Sequence, residues 1–186
     1  EKENIKCYEV NTNAVENLCK IAKEINSILI HFSTDYVFDG KKKLSYTEKD
    51  TTNPLNVYGM SKLKGDLNVI NTGVKYFIFR TSWVSGVKGE NFVKKILEMV
   101  KNNTPMQMIS NQVSVPSSAN FIAKTIEKIL KQCIHSQDLI PFGIYNLCPD
   151  GEVTPYNFAN YILNTAKIID HTITFKKNLI KPILLE

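Results

Sequence analysis

Tyr58 and Lys62 stand four residues apart in Tyr58-Gly-Met-Ser-Lys62, and Ser33-Thr34-Asp35 lies upstream of them. On a helix, side chains at that spacing stack on one face, about 6 Å apart along the axis. An ammonium so placed favours the tyrosinate and draws down a phenol pKa that starts near ~10. A tyrosine tuned in this way exchanges a proton with a reacting oxygen near neutral pH. That is the chemistry of carbonyl reduction, where hydride reaches carbon and a proton reaches oxygen. The pair alone is unspecific. The chain has 8 tyrosines, and of its 23 basic residues only Arg80 is not lysine, so chance supplies roughly one Tyr-x-x-x-Lys.

The elements around the pair must therefore carry the case. Residues 5–25 are expected to form a helix, with Val10, Ala14, Leu18, Ile21 and Ile25 as its apolar face. Residues 27–32 form a short apolar run with β-branched members and read as a buried parallel strand. Ser33-Thr34-Asp35 would then sit at its carboxyl end, where open α/β sheets bind ligands. A polar loop from Asp39-Gly40 leads to the Tyr58 helix, residues 56–70, with Leu63, Leu67 and Ile70 as its apolar side. A strand at 76–81 follows, and Ser82-Trp83 leaves its end.

Beyond it the pattern predicts a helix capped near Asn91, a strand at 106–109, a loop through Pro116 and a helix over 121–130. A strand at 143–147, a helix opened by Thr154-Pro155 and a last strand at 173–175 complete the chain. Strands alternating with helices specify an α/β fold built on a parallel sheet.

Composition sets the outer limits. A chain of 186 residues with 43% apolar content is long enough for one domain or a domain and a half with a real core. No apolar run approaches the ~20 residues that cross a bilayer, and no signal peptide is visible, so the expected location is cytoplasmic and no membrane partner is expected. Cys7, Cys19, Cys133 and Cys148 have no C-x-x-C spacing and read as buried or half-buried thiols in a reducing compartment. His31, His135 and His171 show no ligand spacing, and no metal is expected. The net charge of +5 is scattered, and Lys41-Lys42-Lys43 falls in a loop, so no nucleic-acid partner is expected. A mild positive balance suits a phosphate-bearing small substrate. No Gly-rich phosphate turn occurs, and a helix opens the chain where a doubly wound fold opens with a strand.

Three motifs taken together are specific where the Tyr-Lys pair is not. They are His31-Phe-Ser-Thr-Asp-Tyr-Val-Phe-Asp-Gly40, Asn53-Pro-Leu-Asn-Val-Tyr-Gly-Met-Ser-Lys62 and Arg80-Thr-Ser-Trp-Val84. With Val10-Asn11, Asn91-Phe92 and the loop at 111–117, they resemble the dTDP-4-dehydrorhamnose reductase family of extended short-chain dehydrogenases/reductases. The resemblance runs to about Phe175. It implies a Rossmann-like doubly wound parallel sheet with a small α/β substrate-binding part, here without the N-terminal phosphate-binding βα units and the C-terminal end. Residues 1–84 would hold the later portion of the dinucleotide-binding domain. Residues 85–186 would be mostly substrate-binding, with some segments returning to the main sheet.

The resemblance also implies roles. Tyr58 would be the proton donor, and Lys62 would lower its pKa and hold the nicotinamide ribose. Thr34 would bond the substrate oxygen, with Asp35 beside it in the substrate pocket. Trp83 would pack against the substrate's deoxynucleotide sugar portion, and Phe32 would wall the cofactor, NADPH or NADH. An asparagine at the Asn11 position supports the active-site water in related reductases. The implied reaction is reduction of the C4 ketone of dTDP-4-dehydro-L-rhamnose to dTDP-L-rhamnose, with a homodimer as the oligomer considered.

The loop Asn111-Gln-Val-Ser-Val-Pro-Ser117 departs from the family's Asp-Gln-x-Gly-x-Pro-Thr, and Ser85 stands where tyrosine is common. Those changes bear on which sugar nucleotide is bound. Two alternatives stay open: a related nucleotide-sugar epimerase or dehydratase, and a non-catalytic binding protein like the regulatory subunit of methionine adenosyltransferase. Without a phosphate-binding half, the 186-residue chain alone is expected to be inactive.

Overall fold

The computed structural model describes residues 2–135, 140–175 and 179–185. The chain divides into two compact units, one comprising Glu1–Thr81 and Glu127–Leu147, the other Ser82–Ile126 and Cys148–Glu186. The expected α/β class with parallel sheets is the class observed.

In the first unit, β1 (Ile28–Thr34), β2 (Lys75–Thr81) and β6 (Gly143–Asn146) form a three-stranded sheet in the order β1-β2-β6. All its pairings are parallel, with Phe32 opposite Phe79 and Phe79 opposite Tyr145. Phe77, Ile78 and Phe79 are almost wholly buried, as befits a central strand covered on both faces. Side chains alternate between the faces. On one face Phe32, Phe77, Phe79 and Tyr145 make an aromatic ladder, with ring centroids about 6 Å apart. On the other, Ile78, Leu29, Tyr76 and Ile144 meet Val15, Cys19, Ala22, Val69 and Val74.

Those last residues belong largely to two helical stretches. The first runs through α1 (Lys2–Tyr8), a π-helical turn (Glu9–Asn13) and α2 (Ala14–Glu24). The second is α3 (Val57–Thr72), started by the Asn56 side chain, which accepts from Gly59 N at 2.8 Å, and ended by Gly73 in the left-handed region at φ 72°.

Both buried faces differ from the expectation. Helical periodicity marked Val10, Leu18, Ile21 and Ile25 as the core side, yet all four are exposed, and the buried row is Val15, Cys19 and Ala22. On α3, Leu67 and Ile70 are exposed, and Gly59, Ser61, Gly65, Asp66 and Val69 are buried. The physical reason is helix separation. A row of small residues lets backbones approach closely, whereas the larger apolar rows would hold them apart. A Cβ added to Gly65 would lie 2.2 Å from the Asn11 carbonyl oxygen, and one added to Gly59 would lie 2.2 Å from the Tyr36 carbonyl oxygen.

The loop between β1 and α3 is pinned by its own polar groups. Tyr46 Oη donates to Asp39 Oδ1 at 2.7 Å and Asn53 Nδ2 to Asp39 Oδ2 at 3.1 Å. These bonds, with Tyr46 foremost, hold the Asp39 carboxyl at about 2. Cys148, expected at least half-buried, is exposed.

In the second unit, β3 (Val84–Ser85) pairs in parallel with β5 (Ser117–Ser118), and β4 (Met106–Ile109) with β7 (Ile180–Ile183). Helices α4 (Phe92–Lys101) and α6 (Pro155–Ile169) are capped by Asn91 and Thr154, as expected. They enclose a core of Ile96, Val100, Met106, Ala159, Ile162, Leu163, Leu179 and Ile180. Helix α5 (Ala119–His135) has residues in both units. The expected strand at 173–175 is not formed, although Ile173 and Phe175 pack on this core. The strand is β7, which Pro182 disguised. A two-stranded sheet has only edges, and an edge accepts a residue with no N–H to donate.

Gly65→Ala is expected to destabilise the fold by about 1–3 kcal/mol, because the Asn11 carbonyl must move. Asn71→Ala, exposed on the same helix, should stay within about 0.5 kcal/mol. Denaturant midpoints of the two variants check this, and equal midpoints would contradict the close approach.

Candidate active site

Strand β1 ends in Thr34, and the 3-10 turn Asp35–Val37 follows at once. The Thr34 hydroxyl accepts from Tyr36 N at 3.2 Å and donates to Asp35 Oδ1 at 3.2 Å, so it is held between backbone and carboxyl. Gly59 lays its bare Cα on the Tyr36 carbonyl and so brings the first turn of α3 onto this 3-10 turn. Tyr58 meets Tyr36 edge to face, with centroids 6.0 Å apart at 78°. Its half-exposed phenol interacts with the Thr34 side chain.

One turn along α3, the Lys62 ammonium donates to the carbonyl oxygen of Phe32. The Phe32 ring is on the aromatic face of the sheet, 46% exposed, against Phe79. Thr34, Asp35, Tyr58, Lys62 and Phe32 are thus brought together at the carboxyl end of β1, the place where open parallel sheets take ligands.

The electrostatics differ from the sequence expectation in one respect. Lys62 was expected to draw the Tyr58 pKa down. Burial instead pushes the phenol above its ordinary value. The Thr34 hydroxyl opposes that shift, and the Asp35 carboxylate adds to it. The ammonium is directed at the Phe32 carbonyl, so it does not act on the phenol as a close partner. Burial also pulls the Lys62 pKa below its ordinary value, against the Asp66 carboxylate. A phenol is protonated at neutral pH in any case, the state a proton donor needs.

Two groups of residues support this constellation; Asn11 was singled out in the sequence, whereas Ser61 and Asp66 were not. The first links the π-helical turn to α3. Asn11 Nδ2 donates to Ser61 Oγ at 3.0 Å, and Cys7 Sγ lies 3.1 Å from the same oxygen. Ser61 Oγ in turn donates to the Tyr58 carbonyl at 2.8 Å, and Thr12 Oγ1 donates to the Ser61 carbonyl at 2.9 Å. The second is centred on Asp66, which has no exposed surface. Ser33 Oγ donates to Asp66 Oδ2 at 2.7 Å, and Arg80 Nε lies 3.8 Å from that oxygen. His31 Nε2 lies 3.2 Å from Asp66 Oδ1 but out of line for a hydrogen bond. The Arg80 guanidinium also lies over the Phe38 ring at 5.1 Å. The available signal was Ser61, Gly65, Asp66 and Val69 recurring at helical spacing, a row of mostly small residues with one carboxylate on a helix that must bury one face.

Trp83 belongs to the second unit. It stacks with Phe92 and Phe158 at 5.7 and 6.1 Å. Its φ of 39° is strained for a bulky residue. That backbone is held by Ser117 N, which donates to the Trp83 carbonyl at 3.2 Å, and by Ser82 Oγ, which donates to the Val115 carbonyl at 2.6 Å. The 111–117 loop singled out in the sequence therefore braces Trp83. Among the described residues no cluster of three or more His, Cys, Asp or Glu side chains is arranged to hold a metal. No helix there is long and apolar enough to cross a membrane.

Asp35→Asn is expected to lower the Tyr58 pKa, since the carboxylate is one cause of its rise. Spectroscopic titration of tyrosinate, with Tyr58→Phe to assign the signal, checks the direction; an unmoved or raised midpoint would contradict it.

Comparison with known proteins extends these observations. The family model described as RmlD substrate binding domain matches residues 1–184. The chain is 37% identical over 164 residues to the dTDP-4-dehydrorhamnose reductase of Sinorhizobium fredii, covering 88% of this chain and 55% of that protein. It is 35% identical over 158 residues to the reductase of that name from Escherichia coli, covering 85% and 52%. It thus spans about half the length of the curated relatives it matches. Among solved structures, the dTDP-4-dehydrorhamnose reductase of Bacillus anthracis in complex with NADP superposes with a TM-score of 0.84 at 28% identity, covering 100% of this chain and 61% of that one. That of Clostridium acetobutylicum gives 0.85 at 29% identity, covering 99% and 60%.

Proposed function

The chain belongs to the RmlD substrate binding domain family, and from that premise we propose that the full-length protein is an NAD(P)H-dependent sugar-nucleotide reductase. Its reaction is reduction of the C4 ketone of dTDP-4-dehydro-L-rhamnose to dTDP-L-rhamnose. The relatives named for this activity support it, and so does the NADP held by one structural neighbour. The observation that carries the reading is the meeting of Tyr58, Thr34 and Lys62 at the carboxyl end of a parallel strand.

A reduced nicotinamide, held by Lys62 and Phe32, would supply the hydride. The residues of this chain do the rest. Tyr58, protonated at neutral pH as phenols are, gives its proton to the ketone oxygen. Thr34 orients that exchange, because its hydroxyl is fixed by Tyr36 N and Asp35. Lys62, one turn away, ties α3 to the Phe32 carbonyl and keeps further N–H donors for the cofactor ribose.

The fit to a nicotinamide is local and favourable. The half-buried Lys62 ammonium has donors left after its bond to Phe32, enough for ribose hydroxyls, and the exposed Phe32 ring offers an apolar wall. Trp83, strained and braced by two phenylalanines, is the platform for the substrate's nucleotide-sugar portion, and the second unit is accordingly the substrate-binding part. With this reading go a cytoplasmic location and a homodimer, the latter to be read from the mass of the full-length protein in solution.

Tyr58→Phe should lower the rate of ketone reduction by about a hundredfold to ten-thousandfold, the usual worth of a positioned general acid. The melting temperature should hardly change, because the ring and its contact with Tyr36 remain. Steady-state rates of the full-length variant decide this, and a wild-type rate would rule Tyr58 out as the donor.

A further inference from the structure

Tyr58, Lys62 and Asp66 follow one another at intervals of four along α3 and so descend one face of the helix. Each meets the end of β1. Tyr58 interacts with Thr34, Lys62 donates to the Phe32 carbonyl, and Asp66 accepts from Ser33. Three successive turns of helix are thereby tied to three consecutive residues of strand. The proposed reaction uses the first two ties and leaves the third unexplained. That third tie is the most deeply buried, with Asp66 at 0% and Ser33 at 4% exposure.

We propose that Asp66 and Ser33 are positioning residues that hold the Tyr58 and Lys62 turns in register with Thr34 and the Phe32 carbonyl. The proposal rests on the reading of Tyr58 and Lys62 as reacting groups. Ser33 is the residue between the two functional contacts on β1, so a slip at Ser33 displaces both. A buried aspartate is a costly way to fill a helix face, and a small apolar residue would pack without that cost. What the carboxylate adds is a fixed acceptor and a fixed negative charge.

The two contributions are separable. The charged and titratable groups around Asp66 are Lys62 on its own helix, His31 from β1 and Arg80 from β2, with Glu48 acting on Arg80. From the first helical stretch, Cys7 reaches α3 at Ser61, one turn away. Burial favours loss of the Lys62 proton, and the Asp66 carboxylate resists it. Removing the charge must therefore let the ammonium deprotonate at lower pH.

The test uses the full-length protein and two variants. Ser33→Ala removes the tie and keeps the charge. Its kcat should fall on the order of tenfold, within the hundredfold that a 1 Å misplacement costs. KM should stay within about twofold and the high-pH limb of kcat should not move. Asp66→Asn keeps an acceptor for Ser33 and removes the charge. Its high-pH limb should shift downward by on the order of one pH unit. A general loss of structural integrity would not produce that split, and thermal melts confirm that the variants are folded. If Asp66→Asn does not fold, the Ser33→Ala arm decides alone. Wild-type kcat and pH profile in the folded variants, beside an inactive Tyr58→Phe, would overturn the positioning role and leave the reductase reading standing. An active Tyr58→Phe would overturn the reading itself, and the positioning role with it.

Discussion

The site depends on how closely α3 lies against its neighbours. The Asn11 carbonyl occupies space that any Cβ at position 65 would need, and the Tyr36 carbonyl does the same at position 59. Only glycine permits both approaches. The π-helical turn at Glu9–Asn13 is part of the same arrangement, since it carries Asn11 and Thr12 to Ser61. Such turns inside α-helices recur at functional sites. With the backbones this close, the hydrogen bonds of Ser61, Thr12, Asn68 and Asp66 can form, and they fix the height of Tyr58 and Lys62 over the end of β1.

Closeness is also why part of the structure was not legible in the sequence. The α/β class, the strands around 28–34 and 75–81 and the helix caps at Asn91 and Thr154 follow from local patterns that tertiary contacts did not override. The buried faces of α2 and α3 do not. Periodicity weighs a row of Leu and Ile above a row of Val, Cys and Ala, yet the smaller row brings the helices together. The direction of the Tyr58 shift was hidden for a related reason. Spacing shows that Lys62 is near, but only the structure shows its ammonium turned to a carbonyl and the phenol half-buried beside Asp35. The grouping of Tyr58, Lys62 and Thr34 was legible, because their types and order stand out in the sequence whatever the packing, and the structure brings them together at the end of β1.

The two units make different contributions. The first brings Tyr58, Thr34 and Lys62 together on a sheet and a helix, the rigid elements on which such geometry is best kept. The second holds Trp83 in a strained backbone, with the 111–117 loop behind it. That loop carries most of the departures from the family pattern, with Ser85 the other. The buried polar cluster of Asp66, Arg80 and His31 fits the same picture. It adds little net stability for its desolvation, and its value lies in orientation.

The most direct test of the account is the redox balance of the full-length protein with dTDP-4-dehydro-L-rhamnose and NADPH. The amount of NADPH oxidised is measured against the dTDP-L-rhamnose formed. The account predicts one-for-one consumption. Conversion of the sugar nucleotide without net loss of NADPH would point to epimerase or dehydratase chemistry, and absence of turnover despite tight binding of both ligands would contradict catalysis altogether.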